Sequence, residues 1–448
     1  MSSSAETTAS LRIVLATFGT HGDLNPFIGI ARALREMGLD PVIATHEEYR
    51  EPVQSAGVAF HPVRPHRRQL GMDSVAKTTE MLRAFRQRPQ LILTRFVLPH
   101  LEESYEDVLT AMTGARLVFS SSLSFGAKLA AEKLGIPHIA VVLQPSMMLS
   151  AYDPPVLGTH IGMSRVLYAG GPVVNRILLG LARRISRRWV QPVDRFRARL
   201  GLPDAPHPFF EGQWRGAQWI LGLYSSVLGT RQADHPRHFS VAGFSFYDGV
   251  GELSPDIRQF LDEGSPPLIF TLGTSAVHDS SRFVTVAVDA LRILQERALL
   301  VLDEAQCAAW RTKLPDNVRI TGYVPYSLIF PRARAIIHHG GIGTTAQALR
   351  AGRPQLVAPY FVDQPDNAKR VARLGGAVLP LDRWSPLRLV AALKALTGDP
   401  MITARARHVA LDMANEQGAD AAAHLAMQLL SSPTQFTDLP VPSQTPPL

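Results

Sequence analysis

The sequence predicts an α/β protein made of two successive parallel-sheet domains. Residues 11–16 are apolar and β-branched, a glycine turn follows, and residues 24–37 carry apolar side chains at helical spacing. A second strand at 41–44 completes a strand-helix-strand unit, and a similar series starts at 267–272. Alternation of strands and helices favours parallel sheets. The length of 448 residues exceeds what one hydrophobic core organises.

Changes in composition divide the chain into segments. Gly249 and Gly251 lie in a polar stretch that we interpret as an interdomain linker. The alanine-rich stretch 402–430 predicts one long helix, and the proline-rich end favours disorder. We therefore predict a first domain at 1–242, a linker at 243–258, a second domain at 259–400, a helix at 401–431 and a disordered tail at 432–448.

The remaining elements follow from short apolar runs and periodic segments. Gly38 and Gly135 each follow a predicted helix, where glycine is the preferred residue. The first half has predicted helices at 24–37, 73–88, 89–112 and 124–134, and strands at 11–16, 41–44, 116–119, 139–143, 218–223 and 240–242. The second half has predicted helices at 281–295, 365–374 and 384–396, one more beginning at 344, and strands at 267–272, 299–302, 318–320, 335–337 and 355–358.

Composition and charge exclude several classes of protein. The chain has one cysteine, Cys307, so it forms no intrachain disulfide. A polar N-terminus and the absence of an 18-residue apolar run predict a cytoplasmic protein. The net charge of +8 favours anionic ligands. We find no helix-turn-helix, zinc-finger or RNA-binding motif, so we predict no nucleic-acid partner.

A glycine-rich turn after the strand at 335–337 predicts a phosphate site. It runs from His338 to Gly343 and is followed by two threonines. Glycines allow close approach of the backbone to a ligand, and the start of a helix offers unpaired N–H groups to an anion. No Gly-Lys-Ser/Thr follows, so the turn is not a P-loop. The alternative is an ordinary loop with helix-capping threonines, and for Thr345 capping and ligand contact stay equally open.

This stretch, with Asp363 and Gln364 about twenty residues later, closely resembles the donor-binding signature of the inverting UDP-glycosyltransferase-like family. The His-His-Gly-Gly form is similar to the bacterial branch that includes rhamnolipid rhamnosyltransferases and sterol glucosyltransferases. The resemblance implies that Asp363 and Gln364 hold sugar hydroxyls. It implies that the donor diphosphate is bound by His339, Gly341, Gly343, Thr344 and Thr345.

The resemblance implies a GT-B fold, in which two Rossmann-like domains face a cleft and a C-terminal helix crosses back to the first domain. Tyr323 and Val324 match the family's base-binding position, where Tyr323 replaces a tryptophan that stacks on the base. The turn Gly273, Thr274 and Ser275 matches a second phosphate contact.

The opening loop, Gly-Thr-His-Gly-Asp-Leu-Asn-Pro, resembles the family loop that carries the catalytic base. The matching residue is Asp23, and His21 is the alternative base. A purely structural role, with Asp23 as a helix N-cap, is the third interpretation. Histidine-type relatives also carry an aspartate that orients the base, whereas this chain has three serines at 120–122.

The resemblance therefore implies an inverting hexosyltransferase. The donor is UDP-glucose or dTDP-rhamnose, and the acceptor is a hydroxyl of a hydrophobic lipid, sterol, polyketide or flavonoid-like molecule. Met147, Met148 and Tyr152 are candidates for an apolar acceptor contact, against ordinary packing. The chain contains no Asp-x-Asp, so we expect no metal ion and no cofactor beyond the nucleotide sugar. The alternatives are a non-catalytic nucleotide-sugar-binding subunit and a sugar-nucleotide epimerase.

Seven arginines between residues 183 and 199 mark a basic helical region. It favours peripheral contact with an anionic membrane face. The alternative is a solvated helix surface. These arginines are Arg183, Arg184, Arg187, Arg188, Arg195, Arg197 and Arg199.

Overall fold

The computed structural model describes residues 11–66, 69–70, 75–156, 161–272, 281–360 and 362–431. Within them, seven parallel strands form a first sheet in the order β3-β2-β1-β4-β5-β6-β7. These strands are β1 (Arg12–Ala16), β2 (Asp40–Thr45), β3 (Ala59–Pro62), β4 (Ala115–Ser121), β5 (His138–Val142), β6 (Trp219–Gly222) and β7 (Phe239–Val241).

A second sheet is built from six parallel strands in the order β10-β9-β8-β11-β12-β13 within the same described ranges. These are β8 (Leu268–Thr271), β9 (Ala298–Val301), β10 (Val318–Thr321), β11 (Ala335–His338), β12 (Gln355–Val357) and β13 (Ala377–Val378). The prediction of two parallel sheets is confirmed. The first sheet ends before residue 243 and the second begins after residue 258, while the domain bounds stay a prediction.

Helices connect the strands, because a parallel crossover needs a segment long enough to return along the sheet. In the first half these are α1 (His21–Glu36), α2 (Arg50–Ser55), α3 (Val75–Gln87), α4 (Leu101–Ala111), α5 (Phe125–Leu134) and α6 (Ile161–Arg199). In the second half they are α7 (Pro255–Asp262), α8 (Ser281–Leu294), α9 (Glu304–Trp310), α10 (Tyr326–Ile329), α11 (Ile342–Arg350), α12 (Gln364–Arg373), α13 (Pro386–Gly398), α14 (Pro400–Met413) and α15 (Gly418–Ser431).

Two predicted helices differ from the structure. The segment 89–112 is not one α-helix, because a π-helical stretch (Ile92–Val97) and a 3₁₀ turn (Leu98–His100) precede α4. Pro99 lacks the N–H that a regular α-helix would use there. The single helix predicted over 402–430 is also wrong, because the chain breaks between α14 and α15. The predicted tail at 432–448 lies outside the described residues.

The last helix, α15, packs against the first domain, as predicted. Ala422, Ala426 and Leu429 are buried in one cluster with Ile13 of β1 and Leu24 of α1. The second domain precedes α15 in the chain, so this packing joins the end of the polypeptide to its beginning.

In each sheet the connections change direction next to the central strand. In the first sheet, β1 lies between β2 and β4, and in the second, β8 lies between β9 and β11. Ligands of parallel sheets bind outside the carboxyl ends of strands at such switch points. Two predicted site loops begin at these switch points. The loop that carries His21 and Asp23, called the base loop below, follows β1, and the glycine turn follows β11.

We predict that Leu429→Ala lowers the free energy of unfolding by about 2–5 kcal/mol, the usual cost of such a cavity. Leu429 is only 2% exposed and lies in the cluster that joins α15 to the first domain. The measurement is urea unfolding followed by circular dichroism. The neighbouring Met427, which is 38% exposed, provides the control Met427→Ala. Equal losses in the two variants would contradict a stabilising role for this packing.

Candidate active site between the domains

The base loop is closed by a capping box at the start of α1. Thr20 is the N-cap, and its hydroxyl accepts a hydrogen bond from the Gly22 N–H at 3.3 Å. In return the Thr20 N–H donates to Oδ2 of Asp23 at 2.7 Å, and the Thr20 hydroxyl lies 3.2 Å from the same oxygen. The helix therefore begins three residues earlier than predicted. The interpretation of Asp23 as the N-cap is wrong, because the carboxylate lies in the first turn.

Burial raises the pKa of Asp23 to about 6, while the hydrogen bonds from Thr20 act in the opposite direction. Near neutral pH the carboxylate is therefore mostly ionised, yet it is a much stronger base than a free aspartate. A Cβ atom at Gly19, whose φ is +141°, would collide with this carboxylate. The glycine is needed at this position for both its backbone angle and its lack of a side chain.

His21 has different surroundings. Its ring makes an edge contact with Tyr49, with the centroids 5.1 Å apart, and burial lowers its pKa. Residues two apart in a helix point in different directions. His21 thus contacts Tyr49 of the first domain, whereas the charge of Asp23 acts on Asp363 of the second domain.

The serines at 120–122 do not orient either candidate base directly. The Ser121 hydroxyl accepts a hydrogen bond from the Phe18 N–H at 3.3 Å, which ties the base loop to the end of β4. Ser120 contacts Nε2 of the buried His138 at 2.7 Å. Of the three serines, Ser121 therefore supports the backbone of the loop, and Ser120 contacts a neighbouring strand.

The glycine turn after β11 is shaped by a buried histidine and a left-handed glycine. The Gly340 N–H donates to Nδ1 of His338 at 3.1 Å, so Nε2 carries the ring proton and donates to Gln355 at 3.0 Å. Gly340 has a φ of +88°, and a Cβ atom there would lie 2.6 Å from a methyl carbon of Val357. Only glycine fits this position.

His339 is 3% exposed, and its Nδ1 has no hydrogen-bond partner among the described residues. Burial lowers its pKa to about 3, helped by the neighbouring His338, so the ring is neutral at physiological pH. The ring lies against Gly341, where a Cβ atom would collide with Nε2. Gly341 is the N-cap of α11, so Nε2 of the His339 ring lies beside the positive end of a helix dipole.

The two threonines of α11 are both buried. Thr344 hydrogen-bonds the hydroxyl of Tyr326, which also lies 2.9 Å from the Thr271 hydroxyl. Thr345 does not cap the helix. It lies beyond the first turn, and its hydroxyl has no hydrogen-bond partner within the described part of the chain. The capping alternative for Thr345 is therefore wrong.

Asp363 and Gln364 stand at the start of α12, beside the glycine turn. The Asn367 amide donates to Asp363 at 2.7 Å and to the Gly340 carbonyl at 2.9 Å. Burial raises the pKa of Asp363 to about 7, and the charge of Asp23 adds to that shift. Gln364 is 2% exposed and accepts a hydrogen bond from the Tyr360 N–H at 2.8 Å. Val362 has a φ of +55°, an uncommon backbone angle for a β-branched residue that often marks functional sites.

The structure brings most of the predicted site together across the two domains. A Cβ atom at Gly343 would lie 3.5 Å from the Cα atom of Gly22, so the glycine turn and the base loop are in contact. Tyr323 is 61% exposed, with its ring centroid 6.2 Å from that of Tyr326, while Val324 is buried. The predicted phosphate residues Gly273, Thr274 and Ser275 lie outside the described residues.

Comparison with known proteins decides the family. Residues 13–152 match the family model "Glycosyltransferase family 28 N-terminal domain", and residues 286–428 match "Erythromycin biosynthesis protein CIII-like, C-terminal domain". The chain is 30% identical over 422 residues to the O-mycaminosyltylonolide 6-deoxyallosyltransferase of Streptomyces fradiae, covering 92% of this chain and 95% of that protein. The chain belongs to the glycosyltransferase family.

Two further comparisons agree with this. This glycosyltransferase is 26% identical to a sterol 3-beta-glucosyltransferase of Arabidopsis thaliana. The alignment covers 92% of this chain and 67% of the Arabidopsis protein. The solved structure of the spinosyn rhamnosyltransferase SpnG, complexed with thymidine diphosphate, has a TM-score of 0.65 at 18% identity and covers 93% of this chain and 100% of that one. These comparisons confirm the predicted GT-B fold and the resemblance to the UDP-glycosyltransferase-like family.

Sequence reasoning missed a buried ionic network that connects the domains of this glycosyltransferase. Arg370 of α12 is paired with Asp366 at 2.6 Å and with Asp153 of the first domain at 2.6 Å. Its guanidinium also donates to the Leu228 carbonyl at 2.8 Å. Asp366 accepts a hydrogen bond from the Val156 N–H at 2.9 Å. The network therefore fixes the loop around Asp153, which lies next to the predicted acceptor residue Tyr152, to the helix that begins at Asp363 and Gln364, the predicted sugar-binding pair.

The spacing of Asp366 and Arg370 indicated a helical ion pair, but nothing in the sequence indicated Asp153. Burial of charges is tolerated only when they are paired. Here the side chains of Arg370 and Asp366 are 3% and 1% exposed. Sequence distance hid the contact, because Arg370 and Asp153 are 217 residues apart.

We predict that Arg370→Met lowers the free energy of unfolding by about 3–5 kcal/mol, because it leaves the buried Asp366 without its cation and leaves Asp153 only the longer contact to Arg373 at 3.5 Å. Asp153→Asn should cost less, because Arg370 keeps Asp366 as its partner. The measurement is denaturant unfolding of both variants beside the wild type. If the two substitutions lower the free energy of unfolding equally, or if Arg370→Met does not lower it, the buried network does not stabilise the domain contact.

Proposed function

We propose that this glycosyltransferase moves a hexose from a nucleotide-diphosphate sugar to a hydroxyl group of a hydrophobic acceptor, with inversion at the anomeric carbon. The observation that carries the proposal is the meeting of two loops at the domain contact. One loop holds Asp23, whose raised pKa suits a general base. The other holds the neutral His339 at the N-terminus of α11.

The diphosphate would lie at the glycine turn. The first N–H groups of α11 are free of intrahelical partners and point toward the turn. A neutral imidazole whose Nε2 lies beside the N-terminus of α11 gains a hydrogen bond when an oxygen of the ligand reaches that nitrogen. These groups would stabilise the charge that develops on the leaving diphosphate. In this proposal the step needs no metal ion, and the nucleotide sugar is a co-substrate with no further cofactor.

The acceptor hydroxyl would approach from the side of the base loop. Asp23 takes the proton of the hydroxyl, and the oxygen forms a bond to the anomeric carbon as the bond to the diphosphate breaks. Asp363 and Gln364 would hold hydroxyls of the sugar so that the carbon lies in line between the two oxygens. The negative charge leaves with the nucleoside diphosphate, and the proton stays on Asp23 until solvent removes it.

The acceptor would contact the loop around Met147, Met148 and Tyr152. Met148 is 4% exposed and packs in the cluster between the domains, whereas Tyr152 is 45% exposed. Apolar, adaptable side chains suit a large hydrophobic acceptor. The 6-deoxyallosyltransferase and sterol glucosyltransferase relatives favour an acceptor of polyketide or sterol type. Both dTDP-linked deoxy sugars and UDP-glucose stay candidates for the donor, and we propose a cytoplasmic site of action.

We predict that Asp23→Asn reduces turnover at least about a hundredfold, the scale of general-base catalysis, while binding of the nucleoside diphosphate persists. In the wild type, kcat/KM should fall about tenfold from pH 7 to pH 5, because protonation near pH 6 removes the base. Steady-state kinetics at several pH values measure both effects.

His21→Asn is the matched control for that substitution, and it should leave most of the turnover intact. If the residual kcat/KM of Asp23→Asn no longer falls between pH 7 and pH 5, the result would agree with Asp23 as the base. Unchanged turnover in Asp23→Asn, or a greater loss in His21→Asn, would assign the base to His21.

We predict that His339→Ala weakens binding of dTDP or UDP at least tenfold, the loss expected for one hydrogen bond to a charged ligand. Titration calorimetry of both nucleotides with both proteins gives the measurement. Tighter binding of dTDP by the wild type would favour a deoxy-sugar donor, and tighter binding of UDP would favour glucose. Absence of binding by the wild type would contradict the diphosphate site.

Product analysis separates the remaining alternatives. A transferase releases nucleoside diphosphate in proportion to the glycosylated acceptor. An epimerase changes the nucleotide sugar without an acceptor, and a non-catalytic subunit binds it without change. The apolar loop around Met147, Met148 and Tyr152, which an epimerase would not need, favours the transferase.

A further inference from the structure

The long helix α6 has an exposed face that is apolar in its first part. The helix turns at Gly171, where φ is +68°, and continues regularly to Arg199. Beyond the turn, four aliphatic side chains are largely exposed at intervals of four residues. They are Val173 (69% exposed), Ile177 (67%), Leu181 (52%) and Ile185 (48%). We call these four residues the aliphatic stripe.

The stripe is one continuous face of the helix. At 3.6 residues per turn, residues four apart differ by only about 40° in direction. The opposite side of the helix packs on the first domain, where Asn175, Val190 and Val193 are buried. Core packing therefore accounts for one side of α6 and leaves the stripe unexplained. Single exposed aliphatic residues are ordinary, but an aligned row of four indicates an interaction surface.

Unpaired arginines lie on the same face. Residues 172–199 contain eight arginines and one acidic residue. Four arginines pair with carboxylates, in the pairs Arg183–Glu211, Arg187–Asp194, Arg197–Glu132 and Arg199–Glu102. Arg184 and Arg188 are exposed and have no carboxylate partner within the described part of the chain. Their helical positions are within about 20° of Ile177, so the stripe carries its own positive charge.

The start of the stripe adjoins the predicted acceptor loop. Asn175 donates to the Ala151 carbonyl at 2.7 Å, and Arg176 donates to the Tyr152 hydroxyl at 3.0 Å. Tyr152 is itself 45% exposed. A surface that engaged the stripe would therefore lie directly beside the loop proposed to receive the acceptor.

We propose that α6 is a membrane-docking helix whose aliphatic stripe and unpaired arginines bind the surface of an anionic lipid bilayer. Aliphatic side chains on one face of a helix enter the boundary between headgroups and acyl chains. Arginines on that face extend their charged ends to anionic headgroups. The aliphatic stripe and the free arginines lie on one face of the helix. A face that is both apolar and positively charged matches the surface of an anionic bilayer, so we assign it to a bilayer and not to a protein partner. None of the described helices is both long and apolar enough to span a membrane, so the contact is peripheral.

Vesicle sedimentation with the full chain tests this proposal. Wild-type protein should bind vesicles of phosphatidylcholine with phosphatidylglycerol, bind phosphatidylcholine alone much more weakly, and lose affinity as salt rises. The double variant Ile177→Glu/Leu181→Glu should no longer bind. The variant Arg184→Gln/Arg188→Gln should lose roughly twentyfold or more in binding to the anionic vesicles, since each basic residue near such a surface contributes about a fivefold factor.

A matched control carries the same added charge elsewhere. Leu387 and Leu411 are 72% and 70% exposed on other helices, so Leu387→Glu/Leu411→Glu should bind vesicles as the wild type does. Retained dTDP or UDP binding shows that each variant is folded. Failure of the wild type to bind anionic vesicles would overturn the proposal. So would a wild-type dimer in analytical ultracentrifugation that Ile177→Glu/Leu181→Glu converts to a monomer, because the stripe would then be a contact between copies.

Discussion

The geometry of the site depends on the packing of one helix, α11, against the domain to which it does not belong. Ile342, Ala346 and Leu349 of α11 are buried in a cluster with Met148 and Tyr224 of the first domain. The N-terminus of the same helix follows the glycine turn directly. Apolar burial on one side of a short helix therefore sets the distance between the proposed diphosphate site and the base loop.

The charges of the site follow from this close approach. Asp23 and Asp363 belong to different domains, and both have raised pKa values because burial disfavours their ionised forms. The charge of Asp23 raises the pKa of Asp363 further. Two coupled carboxyls that titrate near neutrality carry less than their formal charge. A doubly charged diphosphate bound as proposed would thus meet acids that repel it weakly, beside a neutral histidine and a helix N-terminus.

The sequence predicted the elements whose signals are local. The glycine turn, the strand before it and Asp363 were found because their order and spacing are readable over some forty residues. The capping box was also readable, since Thr20 and Asp23 have the right spacing, but the structural alternative placed Asp23 at the cap itself instead of in the first turn. The break before α15 was hidden in an alanine-rich pattern. There a Cβ atom at Gly418 would collide with the Gly243 carbonyl, a contact that only the folded chain reveals.

Contacts between the domains were not predictable for a different reason. Asp153 lies in a loop with no periodicity, and its value to the fold depends on Arg370, which folds into another sheet. Pattern analysis identifies which residues share a face, but it does not identify which faces meet. The roles of Asp23, His339 and Gln364 came from the resemblance, and each stays a prediction about chemistry even where the structure supplies the geometry.

The buried network at Arg370 joins the proposed acceptor loop to α12, the helix that begins at the predicted sugar-binding pair. Separating Asp153 from Arg370 would leave charges in a poorly hydrated contact, which is costly, so the loop and α12 move together or not at all. Asp363 and Gln364 stand at the first turn of α12. An acceptor that displaces the loop thus displaces the groups proposed to hold the sugar. If both ligands bind as proposed, their affinities would be linked reciprocally through the shared helix.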